Sequence, residues 1–222
     1  MTSLSPNHGE RRGTNAPDMI VLHFTGMPDT TGARARLCDP AAEVSAHWLI
    51  DTDGTTEPLV PEHRRAWHAG AGAWCGRDDV NSHSIGIEMA NPGDRPFPEP
   101  QMAALESLLR RIMARWAIPP HRVIGHSDMA PDRKTDPGPR FDWDRLARGN
   151  LALAAAPADG ADRPLDDLLT DIGYPPARSS ARLAAFRLRF CPWNDGPEND
   201  LDRRLAAGVL AALPARPEDS GC

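Results

Sequence analysis

Two histidines and an aspartate are the residues whose types and spacing first suggest chemistry. His23 closes the apolar run MIVLHF at 19–24. His126 opens GHSDMAPDRKTDPGP, in which Asp136 follows ten positions later in a loop whose prolines restrict the backbone. Alone, a histidine at a strand end is more often a hydrogen-bonded structural residue than a ligand. Together, two imidazoles and a carboxylate offer zinc three protein ligands and leave a fourth position open. A catalytic zinc needs that opening, whereas a structural one is closed by a fourth side chain, usually cysteine. The four cysteines, Cys38, Cys75, Cys191 and Cys222, are scattered without a CxxC pair and read as free thiols. Spacing alone does not establish a disulfide between Cys38 and Cys75.

These ligands need strands and turns to hold them. Residues 19–24 are short, apolar and partly β-branched, the pattern of a buried strand that delivers His23 at its end. SAHWLID at 45–51 leads into Asp53-Gly54, a turn signal that predicts a hairpin, while 34–42 is too short and mixed to assign. SIGIEM at 84–89 reads as a third strand broken by Asn91-Pro92-Gly93, with Glu88 near its end. Met102, Leu105, Leu108, Leu109, Ile112, Met113 and Trp116 recur at helical spacing before Pro119-Pro120, predicting an amphipathic helix over 100–116. A short strand at 122–124 precedes His126, and the prolines and glycine of 129–140 predict a loop.

From Asn150 the composition shifts to LALAAAPADGADRP, which predicts a boundary. The expected organisation is a catalytic domain over 1–150, a linker over 151–163, three short helices within 164–213 (165–172, 179–190 and 200–213) and a disordered tail over 214–222.

Composition narrows the function. The chain has 222 residues, enough for one catalytic-sized core with a small appendage, and 40% hydrophobic with 25% charged residues is ordinary for a soluble globular protein. A net charge of -6 argues against nucleic acid as a partner, since phosphate recognition relies on clustered Lys and Arg. No stretch approaches the roughly 20 apolar residues that span a bilayer, so no membrane partner is expected. The amino terminus lacks the apolar core of a secretory signal, which points to the cytoplasm.

Read together, VLHFTGM (21–27), SAHWLIDTDGT (45–55), AWHAGAGAW (66–74), SIGIEMAN (84–91) and GHSDMAPDRKTDPGPRFDW (125–143) resemble the N-acetylmuramoyl-L-alanine amidase type 2 family, which shares its fold with peptidoglycan recognition proteins. The resemblance runs in order over nearly all of Ser5 to Leu146. It implies an α/β fold, a mixed central sheet flanked by helices, and a small all-α domain behind it. It implies a zinc amidase that cuts between N-acetylmuramic acid and L-alanine in peptidoglycan fragments, including 1,6-anhydro muropeptides. His23, His126 and Asp136 fall on the metal positions, and Glu88 and Lys134 on the two further catalytic positions.

Each residue has a plainer reading. Glu88 alone would be an ordinary acid at a strand end, and Lys134 a solvated lysine in a turn. His68 is expected to line the substrate groove or to pack beside Trp67; Asn91, Trp74 and Arg140 are candidate contacts to sugar or peptide. His47 is expected in the core or behind the site, and His63, His83 and His121 at the surface. The three C-terminal helices resemble a peptidoglycan-binding module, but the loop in CPWNDGPENDLDRRLAAGVLAAL is altered, so sugar binding and a purely structural role both stay open. Two rivals remain: a recognition protein that binds peptidoglycan without cutting it, and a zinc hydrolase of another substrate. Two settings also compete, cytoplasmic recycling of muropeptides and, had a leader been removed, a periplasmic or outer-membrane-anchored enzyme acting on the wall. A monomer is expected.

Overall fold

The computed structural model describes residues 4–159 and 162–214; the tail expected from 214 lies, beyond Pro214, outside the described residues. The strands are β1 (His8–Gly9), β2 (Met19–Phe24), β3 (Trp48–Ile50), β4 (Thr56–Pro58), β5 (Arg65–Ala66), β6 (Ser84–Met89) and β7 (Val123–Gly125). The helices are α1 (Thr30–Cys38), α2 (Val80–His83), α3 (Glu99–Trp116), α4 (His126–Met129), α5 (Trp143–Arg148), α6 (Leu165–Ile172), α7 (Ser179–Phe190) and α8 (Asp200–Ala212). Part of the stretch that carries no clear signal, 34–42, belongs to α1, whose first turn is capped by Asp29 accepting from the Gly32 amide at 2.7 Å.

Five strands form one sheet in the order β4, β3, β6, β2, β7. β2 runs parallel to β6 and β7, β3 runs parallel to β6, and the hairpin partner β4 closes the edge antiparallel. The central strands are apolar almost throughout because both faces of the sheet are covered. Ile20, Leu22, Ile85, Ile87 and Met89 pack with Met102, Leu105, Leu108, Leu109 and Ile112 of α3. On the other face, Met19, Val21 and Ile124 share a buried cluster with Leu168, Leu169, Phe186, Leu205 and Val209 from α6, α7 and α8. The C-terminal helices therefore complete the core on one side of the sheet.

The stretch expected to act as a linker is strapped down over its first half. Leu151 and Ala152 are buried, and the Ala158 amide donates to Arg204 O at 3.0 Å. The strap crosses α8 at Gly208, where a Cβ would lie 1.7 Å from Ala156 O. Glycine is needed there for close approach, despite its cost inside a helix.

A buried carboxylate ties the C-terminal helices to the central sheet. Asp128, fully buried in α4, accepts from the Gly125 amide at 2.8 Å, the Tyr174 hydroxyl at 2.7 Å and Arg189 Nη1 at 2.9 Å. Arg189 also donates to Val123 O at 2.8 Å and lies over the Trp143 ring. Breaking a buried pair by removing one partner is costlier than losing a neutral hydrogen bond. Arg189→Met is expected to lower stability by about 3–5 kcal/mol and Tyr174→Phe by about 1–2 kcal/mol. Urea denaturation of the two variants checks the order, and equal losses would show that Asp128 does not depend on the guanidinium.

Candidate active site

Strand register alone gathers the main side chains. In the parallel pairing His23 faces Glu88 across β2 and β6, and Leu22 faces Gly125, so His126 follows one position beyond the end of β7. Residues in register on neighbouring strands project to the same face. Both lie at the carboxyl edge of the parallel strands, where α/β sheets place their sites. The loop after α4 returns Asp136 to this edge, with the Ser127 amide donating to Asp136 O at 3.0 Å. Lys134 is placed by its amide donating to Ala130 O at 2.9 Å.

His23 Nδ1, His126 Nδ1 and Asp136 Oδ2 form a buried triangle with separations of 2.9, 2.9 and 3.1 Å. His126 Nε2 lies 2.9 Å from Ala69 O, and because a carbonyl only accepts, a neutral ring carries its hydrogen on Nε2 and presents a lone pair on Nδ1. That lone pair faces a carboxylate oxygen with no hydrogen between them. The contact is repulsive unless a cation lies there, so the three donors fit a metal ion.

The electrostatics agree. Burial and the neighbouring His126 push the His23 pKa down to about 4, keeping the imidazole neutral. For Asp136 burial alone would raise the pKa, but the close approach of His126 and His23 outweighs it and holds the carboxyl well below its ordinary range. Glu88 Oε2 is buried with no hydrogen-bond partner, and burial followed by the charge of Asp136 raises the pKa to about 8, against the opposing field of Lys134.

His23, Glu88, His126, Lys134 and Asp136 all line one cleft of about 350 Å³, together with His68. The other expected contacts lie elsewhere. Trp74 is 4% exposed and packs edge-on against Tyr174 with ring centroids 5.1 Å apart, inside the core shared with the C-terminal helices. Asn91 is buried and its amide serves its own loop, accepting from the Gly93 amide at 2.7 Å and donating to Arg95 O at 3.2 Å. Arg140 is exposed and outside the lining of the cleft. His68 does line it, but both ring nitrogens are engaged, with His23 Nε2 at 3.0 Å and Ser84 Oγ at 3.1 Å. His47 is wholly buried, as expected for a core histidine, and its Nδ1 accepts from the Gly86 amide at 2.9 Å. His63 is exposed, while His83 and His121 are half-buried.

Three contributors carry no sequence signal. Ser84 and Asp128 are buried polar residues in ordinary-looking segments, and Asn81 Oδ1 accepts from the His68 and Ala69 amides at 3.0 and 2.9 Å. Only tertiary contact reveals their parts. Cys38, Cys75 and Cys191 form no disulfide among the described residues.

A mainly parallel sheet with two histidines, two carboxylates and a lysine converging at its carboxyl edge defines a site suited to metal-assisted hydrolysis. The chain belongs to the N-acetylmuramoyl-L-alanine amidase family, whose model matches residues 13–139. The N-acetylmuramoyl-L-alanine amidase AmiD of Escherichia coli K12 is 34% identical, the match covering 86% of this chain and 81% of AmiD. The 1,6-anhydro-N-acetylmuramyl-L-alanine amidase AmpD of Enterobacter cloacae is 36% identical over 64% of this chain and 85% of its own. Among solved structures, the E. coli AmiD complex with anhydro-N-acetylmuramic acid-L-Ala-D-gamma-Glu-L-Lys superposes with a TM-score of 0.80 at 31% identity, covering 90% of this chain and 93% of that one. AmpDh3 of Pseudomonas aeruginosa reaches 0.82 at 27% identity over 97% of this chain and 100% of its own, a span that includes the C-terminal helices.

The metal-free protein is expected to lose stability on acidification. His23, His47 and His68 all have pKa values lowered chiefly by burial, to about 4 for His23 and about 3 for His47. Below pH 6.5 the unfolded chain binds protons at these imidazoles that the native protein refuses, so stability falls as pH drops towards 4. Glu88 acts oppositely between 4.5 and about 8, where its native carboxyl holds a proton the unfolded one has lost. Three groups outweigh one, and on the order of 3 kcal/mol should disappear between pH 6.5 and pH 5. Urea midpoints of chelator-treated protein measure this; a flat profile would contradict the buried neutral histidines.

Proposed function

We propose that the chain is a zinc-dependent N-acetylmuramoyl-L-alanine amidase that hydrolyses the amide between N-acetylmuramic acid and L-alanine in soluble muropeptides, including 1,6-anhydro forms. The observation that carries this reading is the buried triangle of three acceptors, set in one cleft with the unpartnered Oε2 of Glu88. Family membership and the AmiD complex with an anhydro-muramyl peptide support the choice of bond and substrate class. In this assignment His23, His126 and Asp136 hold the ion. When bound, zinc supplies Lewis acidity, polarising an amide carbonyl and making water acidic enough to deliver a hydroxide equivalent near neutrality.

The chain's own groups perform the proton transfers. Glu88 Oε2 accepts a proton from the attacking water as the new C–O bond forms. The same oxygen then gives it to the alanine nitrogen as the C–N bond breaks, leaving a carboxylic acid on the muramic side and a free amine on the peptide. Burial, and then the charge of Asp136 while it is uncompensated, raise the Glu88 pKa. With that charge spent on a cation, Glu88 moves back towards neutrality, where one group can serve as base and then acid. Lys134 Nζ donates to the carbonyl oxygen as negative charge gathers there. The burial of the histidines keeps water from competing for their lone pairs.

The proposed setting is recycling of wall fragments in the cytoplasm, in line with the AmpD relatives whose name specifies the anhydro substrate. Among the described residues no helix is long and apolar enough to cross a membrane. Mass spectrometry of products from purified anhydro-muropeptides and from intact sacculi, with and without a chelator, tests the whole reading. Peptide beginning at L-alanine should be released from the fragments and the release lost on chelation. Glu88→Gln should keep the metal and lower kcat about 100-fold or more; a variant with full activity would remove Glu88 from its role.

A further inference from the structure

His68 lines the cleft with both ring nitrogens engaged, and its hydrogen bonds have a direction. The Ser84 hydroxyl lies 2.6 Å from Val80 O, and since a carbonyl only accepts, Ser84 spends its hydrogen there. Ser84 Oγ is then an acceptor towards His68 Nε2 at 3.1 Å, which puts the hydrogen of a neutral His68 ring on Nε2. His68 Nδ1 is left with its lone pair, and it faces His23 Nε2 at 3.0 Å. His23 must therefore donate from Nε2, and its lone pair is on Nδ1, the atom that enters the triangle with His126 and Asp136.

We propose that His68 is a positioning residue for the metal site: relayed from Ser84, it sets the tautomer and ring orientation of His23, so that Nδ1 and not Nε2 is offered to the ion. The inference rests on the assignment of His23, His126 and Asp136 as the metal site.

The surroundings are built for this contact. The His68 ring lies flat against the backbone of β6 at Gly86, where a Cβ would come within 2.4 Å of its Cγ, so no other residue leaves room for the imidazole. His47 packs edge-on against the His68 ring with centroids 5.7 Å apart. Asn81 holds the backbone of His68 and Ala69 through their amides, and the next carbonyl, Ala69 O, receives His126 Nε2. One short segment thus orients both ligating histidines, through a side chain for His23 and through the backbone for His126. A protein acceptor behind each metal-bound imidazole is a common device, and its loss typically weakens metal affinity 10–100-fold. Here the acceptor behind His23 is another imidazole, which serves only in one tautomer, and Ser84 selects that tautomer.

Zinc affinity by chelator competition and the imidazole ¹⁵N spectrum of His23 test this in wild type, His68→Leu, His68→Asn and Ser84→Ala. In zinc-loaded wild type the His23 Nε2 proton should be present and slow to exchange. His68→Leu should weaken zinc binding 10–100-fold and lose that protected proton. His68→Asn, whose Oδ1 replaces Nδ1 as acceptor, should stay within a few-fold of wild type and keep it. Ser84→Ala, remote from the ion, should weaken zinc binding a few-fold and speed exchange of the proton; it carries the test alone if Leu at 68 prevents folding. Wild-type affinity and a protected proton in Ser84→Ala, or equal losses in His68→Leu and His68→Asn, would overturn the relay while leaving the metal assignment intact. A wild-type protein that binds no zinc would overturn both.

Discussion

The parallel pairing of β2 with β6 and β7 is the constraint on which the site depends. It brings His23 level with Glu88 and Leu22 level with Gly125, so three chemically active side chains reach one edge without any loop having to place them. A slip of one residue would turn His23 to the opposite face and exchange it for Leu22 or Phe24. The apolar residues on both faces resist that slip. Ile20 and Leu22 are committed to the α3 side and Met19 and Val21 to the α6–α8 side, and their burial pins the register to which the chemistry is attached.

Holding lone pairs together in a dry edge costs stability, and the chain offsets this locally. Nδ1 of His126 and the carboxylate of Asp136 lie about as close as a donor and acceptor would, yet in the neutral tautomer that donates to Ala69 O no hydrogen separates them. Such a contact persists only where surrounding bonds over-determine it. Ala69 O behind His126, the His68 ring behind His23 and the bond from the Ser127 amide to Asp136 O supply that restraint. The preorganisation explains why burial, and not solvent exposure, is the setting of the donors: water at the edge would satisfy each lone pair separately and remove the demand for a cation.

What could be read in the sequence follows from how local each signal is. Near-continuous apolar runs announce β2 and β6, and the periodicity of α3 is unambiguous, since these patterns state burial directly. The residues of the triangle could be read from their types, His23 and His126 by their places at strand ends and Asp136 in the proline-bounded loop that follows. Direction could not. AWHAG marks His68 as close to the site but does not say that its nitrogens point into the sheet and not towards substrate. Trp74 and Asn91 sit in or beside the right motifs, yet Trp74 is taken by Tyr174 of a distant segment and Asn91 by its own loop. Asp128 lies between His126 and a turn in what looks like ordinary loop sequence, and its importance depends on Tyr174 and Arg189, which no local pattern connects to it.

The same contact bears on what the C-terminal helices are. A separable binding module would keep a core of its own and meet the catalytic sheet through a small polar interface. Here Phe186, Leu168 and Val209 share one buried cluster with Met19 and Val21 of the central strand, and the connecting strap is clamped over α8 at Gly208. Asp128 is joined to Gly125, the residue immediately before His126, so the helices press on the turn that carries His126. In physical terms they belong to the support of the site, and any affinity they have for the wall would be added to that duty. The AmpD match covers only 64% of this chain, whereas AmpDh3 matches 97% of it. In this chain the cover over this face of the sheet is joined by a buried charge pair to the segment that begins at His126.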